Sequence, residues 1–414
     1  MNSALAALIG LTLSIILIIR KISPVYSLIL GALVGGILSG WGLEATVSEM
    51  ISGVKDITPA IVRIIAAGVL TGMLVKTGAA TSISTTIVEK LGPKQIFLAL
   101  ALSAMLLTAM GVFIDVAVIT IAPIALMIGG RLKISRLKLL LAMIGGGKCG
   151  NIISPNPNTI IAAENFQAPL PSVMAANIIP AVIGLLITVY LIVPLAPKGA
   201  TVDEEGGQKY EKLPSFLASM AGPVASIILL ALRPLFGIVV DPMIALPAGG
   251  IIGLLATGQW RISSKAISYG LEKMSGIAVL LVGTGTLAGV IKASAIKDVL
   301  TGMLAGWAQG GTFMAPISGA LMSAASASTT AGATIASASF GGAILAAGVS
   351  AVWGAAMINA GATVLDHLPH GSFFHATGGS VGMDVKERLK LIPYESLIGL
   401  VLTIGSVACY FILG

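Results

Sequence analysis

Charge is what this sequence has least of. Of its 414 residues, only 10% are Asp, Glu, Lys or Arg, against roughly 25% in soluble chains. So few ionic groups cannot solvate a water-facing surface, which excludes a set of soluble domains. Cysteine is almost absent: Cys149 and Cys409 each sit in an apolar stretch and share no CxxC spacing. That argues against a disulfide framework or a zinc site. Nucleotide motifs are missing too. Gly146-Gly147-Lys148 resembles the end of a P-loop, but Cys149 replaces the Ser/Thr and Ala142 stands where the first Gly belongs. Gly283-Thr-Gly285 lies inside an apolar run rather than after a strand, so it is no dinucleotide fingerprint. No cofactor is therefore expected, and any transport work must draw on an ion gradient. An enzyme is not expected either, since only the stretch Asp366 to His375 could supply a nucleophile or metal constellation. The formal charge of +7 comes from Lys and Arg scattered at the flanks of apolar segments. That is a pattern of topology signals rather than a phosphate-binding patch, so nucleic acid is not an expected partner.

What is abundant is apolar surface. Hydrophobic residues make up 56% of the chain, with 51 glycines, and the mean hydropathy is +1.01. Such a chain belongs in a lipid bilayer, its small residues serving close helix packing. The fold class expected is an all-α polytopic membrane protein. Apolar runs of about twenty residues place spans near 4–20, 25–40, 57–75, 173–196, 216–238, 242–257, 274–291 and 394–413. Arg20 and Lys21 follow the first run instead of preceding it, as in a retained span. Stretches 139–165 and 344–380 begin as spans and run into polar, Pro-containing sequence. Stretches 95–129 and 312–343 are interrupted at their centres, by Gly111-Val-Phe-Ile-Asp115 and by Ser323 to Thr330, as in re-entrant hairpins. The expectation is ten crossings plus two hairpins.

With the N-terminus outside, eighteen Lys and Arg residues fall in the cytoplasm, Lys273 and Arg388 among them, and only Lys55, Lys292 and Lys297 fall outside. That excess puts both termini outside. Arg63, Lys148 and Arg233 fall within spans. The halves also repeat. Gly68-Val-Leu-Thr-Gly72 returns as Gly285-Thr-Leu-Ala-Gly289, Ser52-Gly53 aligns with Tyr269-Gly270, and the break at Pro157 aligns with that at Pro369. An odd number of crossings separates matching elements, so the repeats are inverted: 1–197 and 216–414, joined by a cytoplasmic linker at 198–215. Inverted repeats with paired broken helices at the midplane are secondary-transporter architecture.

Four segments carry candidate chemistry. Asp115 lies deep in an apolar run, where a carboxylate marks an ion or proton path or caps the second half-helix. Around the second hairpin tip, Ser326, Ser328, Thr329 and Thr330 would leave N–H groups free for an anion, or serve helix packing. In the first break, two prolines force the backbone to unwind, and Asn151, Ser154, Asn156, Asn158 and Thr159 offer neutral partners to a polyhydroxy or carboxylate ligand. The second break holds Asp366, His367, His370 and His375. Asp366 and His370 are candidate substrate ligands there, and His367 with Asp366 and Asp115 are candidates for proton coupling. Lys148 and Arg63 would either neutralise a substrate carboxylate or pair with an acid.

Phe113-Ile-Asp115-Val-Ala-Val-Ile-Thr-Ile-Ala-Pro123, Ser154-Pro-Asn-Pro157, the Gly-Thr-Leu-Ala-Gly repeat and Val364-Leu-Asp366 resemble the gluconate:proton symporter (GntP) family. The likeness covers nearly the whole chain. It departs from the family pattern at Asp115, where Glu is usual, and at Asn156, where the family carries His. The resemblance implies an ion-transporter-superfamily fold, elevator-type motion, a homodimer in the bacterial inner membrane, and import of a small hydroxycarboxylate with protons. Sodium-coupled carboxylate transport and cation/proton antiport are the alternatives, so the coupling ion is H⁺ or Na⁺.

Overall fold

The computed structural model describes residues 3–197, 199–202, 213–295, 299, 309–369 and 371–414. His370 and most of the linker lie outside these. The described chain is built of helices: α1 Ser3–Ile19, α2 Pro24–Leu38, α3 Gly42–Lys76, α4 Ala79–Leu91, α5 Ile96–Ala109, α6 Ile114–Arg131, α7 Arg136–Asn151 and α8 Pro157–Asn165. After α9, Leu170–Leu195, come α10 Phe216–Phe236, α11 Pro242–Ala256, α12 Ser263–Ala293, α13 Gly310–Ser326 and α14 Thr329–Ala346. The chain ends with α15 Ala351–Gly361, α16 Ser372–Ser380, α17 Val385–Leu389 and α18 Ile392–Leu413.

Among the described residues, six helices are long and apolar enough to cross a bilayer, or seven if the pair α4–α5, bent by 108°, is one span. The expected ten crossings do not all reach that length. Helices α1, α2 and α11 have 17, 15 and 15 residues, short of the ~20 that a hydrocarbon core requires. The stretches 139–165 and 344–380 contain half-helices that stop at their breaks. Conversely, the expected spans 57–75 and 274–291 are parts of helices of 35 and 31 residues, because hydropathy falls off before the helix does. The apolar, multi-helix architecture makes this a multi-pass membrane protein.

Helices α3 and α12 lie antiparallel along one another, and glycine makes their approach possible. A Cβ added to Gly53 would collide with the backbone of Gly285 and Gly289, and one added to Gly270 would collide with Gly68. Gly72 likewise rests on Ala266, and Gly289 on Glu49. Small residues replace the hydrophobic drive that is lost between helices in lipid, because packing then depends on close van der Waals contact.

Four breaks interrupt the helical ladder. The chain turns between α5 and α6 with Gly111 at φ +96°, and between α13 and α14 with Ala327 at φ +45°. A non-glycine residue there is uncommon and costs backbone strain. The other two breaks fall between α7 and α8 and between α15 and α16. Pro157 sits in the first turn of α8, where its missing N–H leaves no helical bond unmade.

Candidate substrate cavity

Three helices start at one place. The first residues of α6 (Phe113, Ile114, Asp115, Val116), α14 (Ser328, Thr329, Thr330) and α16 (Ser372, Phe373) line a cavity of about 320 Å³, with Asn151, Lys273 and Asp366 on its wall. Each helix start leaves backbone N–H groups without helical partners and carries the positive end of the helix dipole. Ser328 caps α14, its side chain accepting from the Ala331 N–H at 3.3 Å. Neither Phe113 nor Gly371 makes a side-chain cap bond at the other two starts. Asn151 is 4% exposed, and its Nδ2 is buried with no hydrogen-bond partner. An orphaned buried donor on a cavity wall is a place for a ligand acceptor, since leaving it empty costs free energy.

The charged groups sit in two layers. On the wall itself, half-buried Asp115 accepts from its neighbour's N–H, Val116, at 2.9 Å. Lys273 shares this wall, 5.5 Å from the ring centroid of Tyr269. Behind the wall is a cluster buried within the protein. The Lys148 ammonium donates to an Asp366 carboxylate oxygen and to the Thr363 carbonyl, and lies 3.2 Å from His367 Nδ1. The other Asp366 oxygen accepts from the Thr329 hydroxyl at 2.5 Å. His367 Nε2 lies 3.0 Å from the Ile392 carbonyl, which only accepts, so Nε2 carries a proton, and Nδ1 also lies 3.1 Å from the Asp366 oxygen that Lys148 holds.

The structure therefore draws Asp115, Asn151, Ser328, Thr329, Thr330 and Asp366 together at one cavity. The other polar residues of the first break turn inward. Asn156 donates to the Asn151 carbonyl at 2.8 Å and to its side-chain oxygen, and caps α8 by accepting from the Thr159 N–H at 3.1 Å. Asn158 donates to Asn359 at 2.7 Å, and Asn359 donates to the Thr159 hydroxyl at 2.9 Å. Ser154 is fully buried, with no partner for its hydroxyl. Ser326 donates to the Met322 carbonyl of its own helix at 2.8 Å. His375 lies apart, its Nε2 2.8 Å from the Pro369 carbonyl.

Three residues take part in ways that the sequence does not reveal. Lys273, assigned to the cytoplasmic flank, lies in the third turn of α12 and lines the cavity. Arg388, counted among the cytoplasmic topology charges, is 1% exposed and forms a buried ion pair with Glu395. Asn359 went unnoticed, although a lone amide inside the apolar run Ala351–Gly361 is the kind of signal that marks a buried polar partner.

A second ionic group lies outside this cavity, on the wall of another of about 270 Å³. Arg63 grips Asp241, with Nη2 to Oδ2 at 2.8 Å, and its Nη1 pairs with Glu164. Asp241, in the loop before α11, also accepts from the Met243 N–H at 2.8 Å. Partial burial pushes its carboxyl up, but the Arg63 and Met243 hydrogen bonds and the Arg63 charge outweigh this and hold it below the usual carboxylate range.

The GntP family permease model matches residues 3–413. A Haemophilus influenzae protein described as an uncharacterized transporter is 56% identical over 407 residues, covering 98% of this chain and 97% of its own. A Pseudomonas aeruginosa gluconate permease is 24% identical over 72% of each chain. Among solved structures, the Alcanivorax borkumensis YdaH transporter shares the fold at 16% identity, with a TM-score of 0.64 over 90% of this chain and 88% of that one. This chain belongs to the GntP permease family.

Proposed function

We propose that this protein is a secondary active transporter that imports a small gluconate-like hydroxycarboxylate in symport with protons. The observation that carries the reading is the convergence of three helix N-termini on one cavity with the unpartnered Asn151 Nδ2. Helix N-termini stabilise an anion's charge, and discontinuous helices present them at transporter substrate sites. Thr329, Thr330 and Ser372 supply hydroxyls for the ligand's hydroxyl groups, and Lys273 adds a cation. The cavity's 320 Å³ falls at the lower end of the ~300–1,000 Å³ of small-molecule sites. The P. aeruginosa relative's name, gluconate permease, supports the substrate class. Asp115 relays protons from cavity water, and Asp366 with His367 holds them.

The same reading has the protein work by alternating access, built from inverted repeats at 1–197 and 216–414. The glycine contacts support it. Aligning Gly53 with Gly270 and Gly68 with Gly285 turns the Gly53–Gly285 contact into the Gly270–Gly68 contact, as a two-fold axis in the membrane plane requires. With both termini outside, α6 and α16 run from the cavity towards the cytoplasm and α14 runs outward. On the outer side, Arg63 of α3 and Glu164 of α8 close the path, between cavities of about 270 and 440 Å³ that both touch Glu164. Outward opening would part that pair and leave Arg63 with Asp241. The inner-membrane, homodimeric, elevator-type form follows from the family resemblance.

The test is uptake into proteoliposomes of labelled gluconate, glycerate, lactate, citrate and D-serine, first with an imposed proton gradient and then with a sodium gradient. Accumulation of a hydroxycarboxylate driven by protons alone is expected. Accumulation only with sodium would move coupling to the unwound backbone carbonyls. No accumulation under either gradient would overturn the reading and favour a cation/proton antiporter.

A further inference from the structure

Lys148 is the feature that the transport reading leaves unused. Its ammonium is fully buried, and it ties together elements far apart in sequence: α7, which carries it, and the second break, through Thr363, Asp366 and His367. Through Asp366 it also reaches Thr329 at the start of α14. Asp366 thus faces two ways. One oxygen is held by the Lys148 ammonium and lies beside His367 Nδ1, and the other accepts from the hydroxyl of a residue on the cavity wall.

The charge balance of this cluster is closed when the cavity is empty. Lys148 contributes one positive charge and Asp366 one negative charge, and His367, whose Nδ1 touches both, adds none in its neutral form. The other ionic groups on the wall, Asp115 from α6 and Lys273 from α12, are of opposite sign. A monovalent carboxylate entering beside Asp366 would place two like charges in a water-poor pocket, which is strongly unfavourable unless one is neutralised. The group placed to be neutralised is Asp366, through the oxygen that faces Thr329.

We infer that Lys148 supplies one fixed positive charge that Asp366 and the substrate carboxylate neutralise in turn, so that one proton enters with each monoanion and no net charge moves. This deepens the symport reading and rests on it. Loading transfers one proton from water in the cavity to the Asp366 oxygen that faces Thr329. The new carboxyl no longer needs the Thr329 hydroxyl, which turns to donate to the substrate. Lys148 keeps its proton throughout, and its charge is now balanced by the bound anion. Release reverses each step: the anion leaves, Asp366 gives its proton to water, and Lys148 and Thr329 return to the carboxylate. Lys148 is a positioning residue in this scheme, since it sets the state of Asp366 without meeting the proton itself.

The experiment separates the two components of the driving force in proteoliposomes carrying the full chain, with radiolabelled gluconate as the probe. A pH gradient is imposed at zero potential, or a potassium–valinomycin potential at equal pH. The wild type should accumulate gluconate at least tenfold with the pH gradient and less than twofold with a potential of either sign. Lys148→Met should switch the residual flux to one driven by an inside-positive potential and indifferent to pH gradient, while Lys148→Arg keeps the wild-type pattern. Should the single variant fail to fold, Lys148→Met/Asp366→Asn removes both charges together and should show the same switch. A merely structural role for Lys148 would lower the rate without changing what drives it. Wild-type accumulation driven by inside-negative potential, or a pH-driven flux in either Met variant, would overturn the inference. Absence of any gluconate exchange by the wild type would sink the transport reading underneath it.

Discussion

Gly53→Ala is a one-carbon change with a large expected cost. The new Cβ would lie 2.7 Å from Gly289 Cα and 2.5 Å from Gly289 N, whereas carbon atoms attract at ~3.5–4.0 Å. The obstacles are backbone atoms of α12, which cannot rotate away as a side-chain tip would, so α3 and α12 must part by roughly 1 Å at that level. Overpacking of this kind costs about 1–3 kcal/mol, and here it acts between the two long helices against which the smaller elements pack. Gly270→Ala meets the backbone of Gly68 in the same manner, so inverted repeats demand that the two variants lose similar stability. Gly379→Ala is the control, because nothing lies within 4 Å of its added Cβ. It should match or slightly exceed the wild type, since Ala restricts the unfolded chain. The assay is thermal unfolding of purified protein in detergent at one fixed scan rate, because membrane proteins of this size unfold irreversibly. A Gly53→Ala melt no lower than that of Gly379→Ala would refute the packing argument. Unequal losses at Gly53 and Gly270 would refute the two-fold relation.

Three further outcomes are expected. Glu395→Gln should destabilise the protein by about 3–5 kcal/mol, because it strands the buried Arg388 guanidinium, and the Arg388→Met/Glu395→Met double variant should lose much less in the same melts. Asp241 contributes stability through a depressed folded-state pKa. That contribution is present above the unfolded carboxyl value of about 3.9 and is lost as pH falls through the lower folded value. The gap between melts of wild type and Asp241→Asn should therefore be widest near pH 6 and narrow as pH falls below about 3.9; a gap that does not narrow with falling pH would remove the pairing as its cause. Asp115→Asn should abolish proton-driven accumulation in proteoliposomes, and unchanged accumulation would exclude the relay role.

Much of the fold is written locally and so is legible along the chain. Prolines at 155 and 157, the Gly111 turn and the Ser-Thr run after Ser323 mark where helices stop, because each removes a donor, admits a left-handed backbone or competes for backbone hydrogen bonds. Asp115, Thr329 and Thr330 were legible for the same reason, being polar groups at breaks in apolar sequence. What the chain does not print is who pairs with whom. The polar run from Asn156 to Thr159 looks like a binding site until Asn359, some 200 residues away, takes up its hydrogen bonds. Lys148 and Asp366 are likewise 218 residues apart, so neither position alone reveals the ion pair. Lys273 and Arg388 read along the chain as flanking charges, because a sequence shows that a cation borders an apolar run but not which cavity or acid the fold sets beside it.

The central claim is that an anion sits where three helices begin, held in part by the orphaned Asn151 amide. Calorimetric titration of gluconate into purified wild type and Asn151→Leu protein tests it most directly. The Leu side chain keeps the bulk and removes the donor, while Asn158→Leu, in the hydrogen-bonded network with Asn359, serves as the comparison. The account predicts saturable binding by the wild type, at least tenfold weaker binding by Asn151→Leu, and a smaller change in Asn158→Leu. Equal affinity in wild type and Asn151→Leu would contradict it and place the substrate elsewhere in the protein.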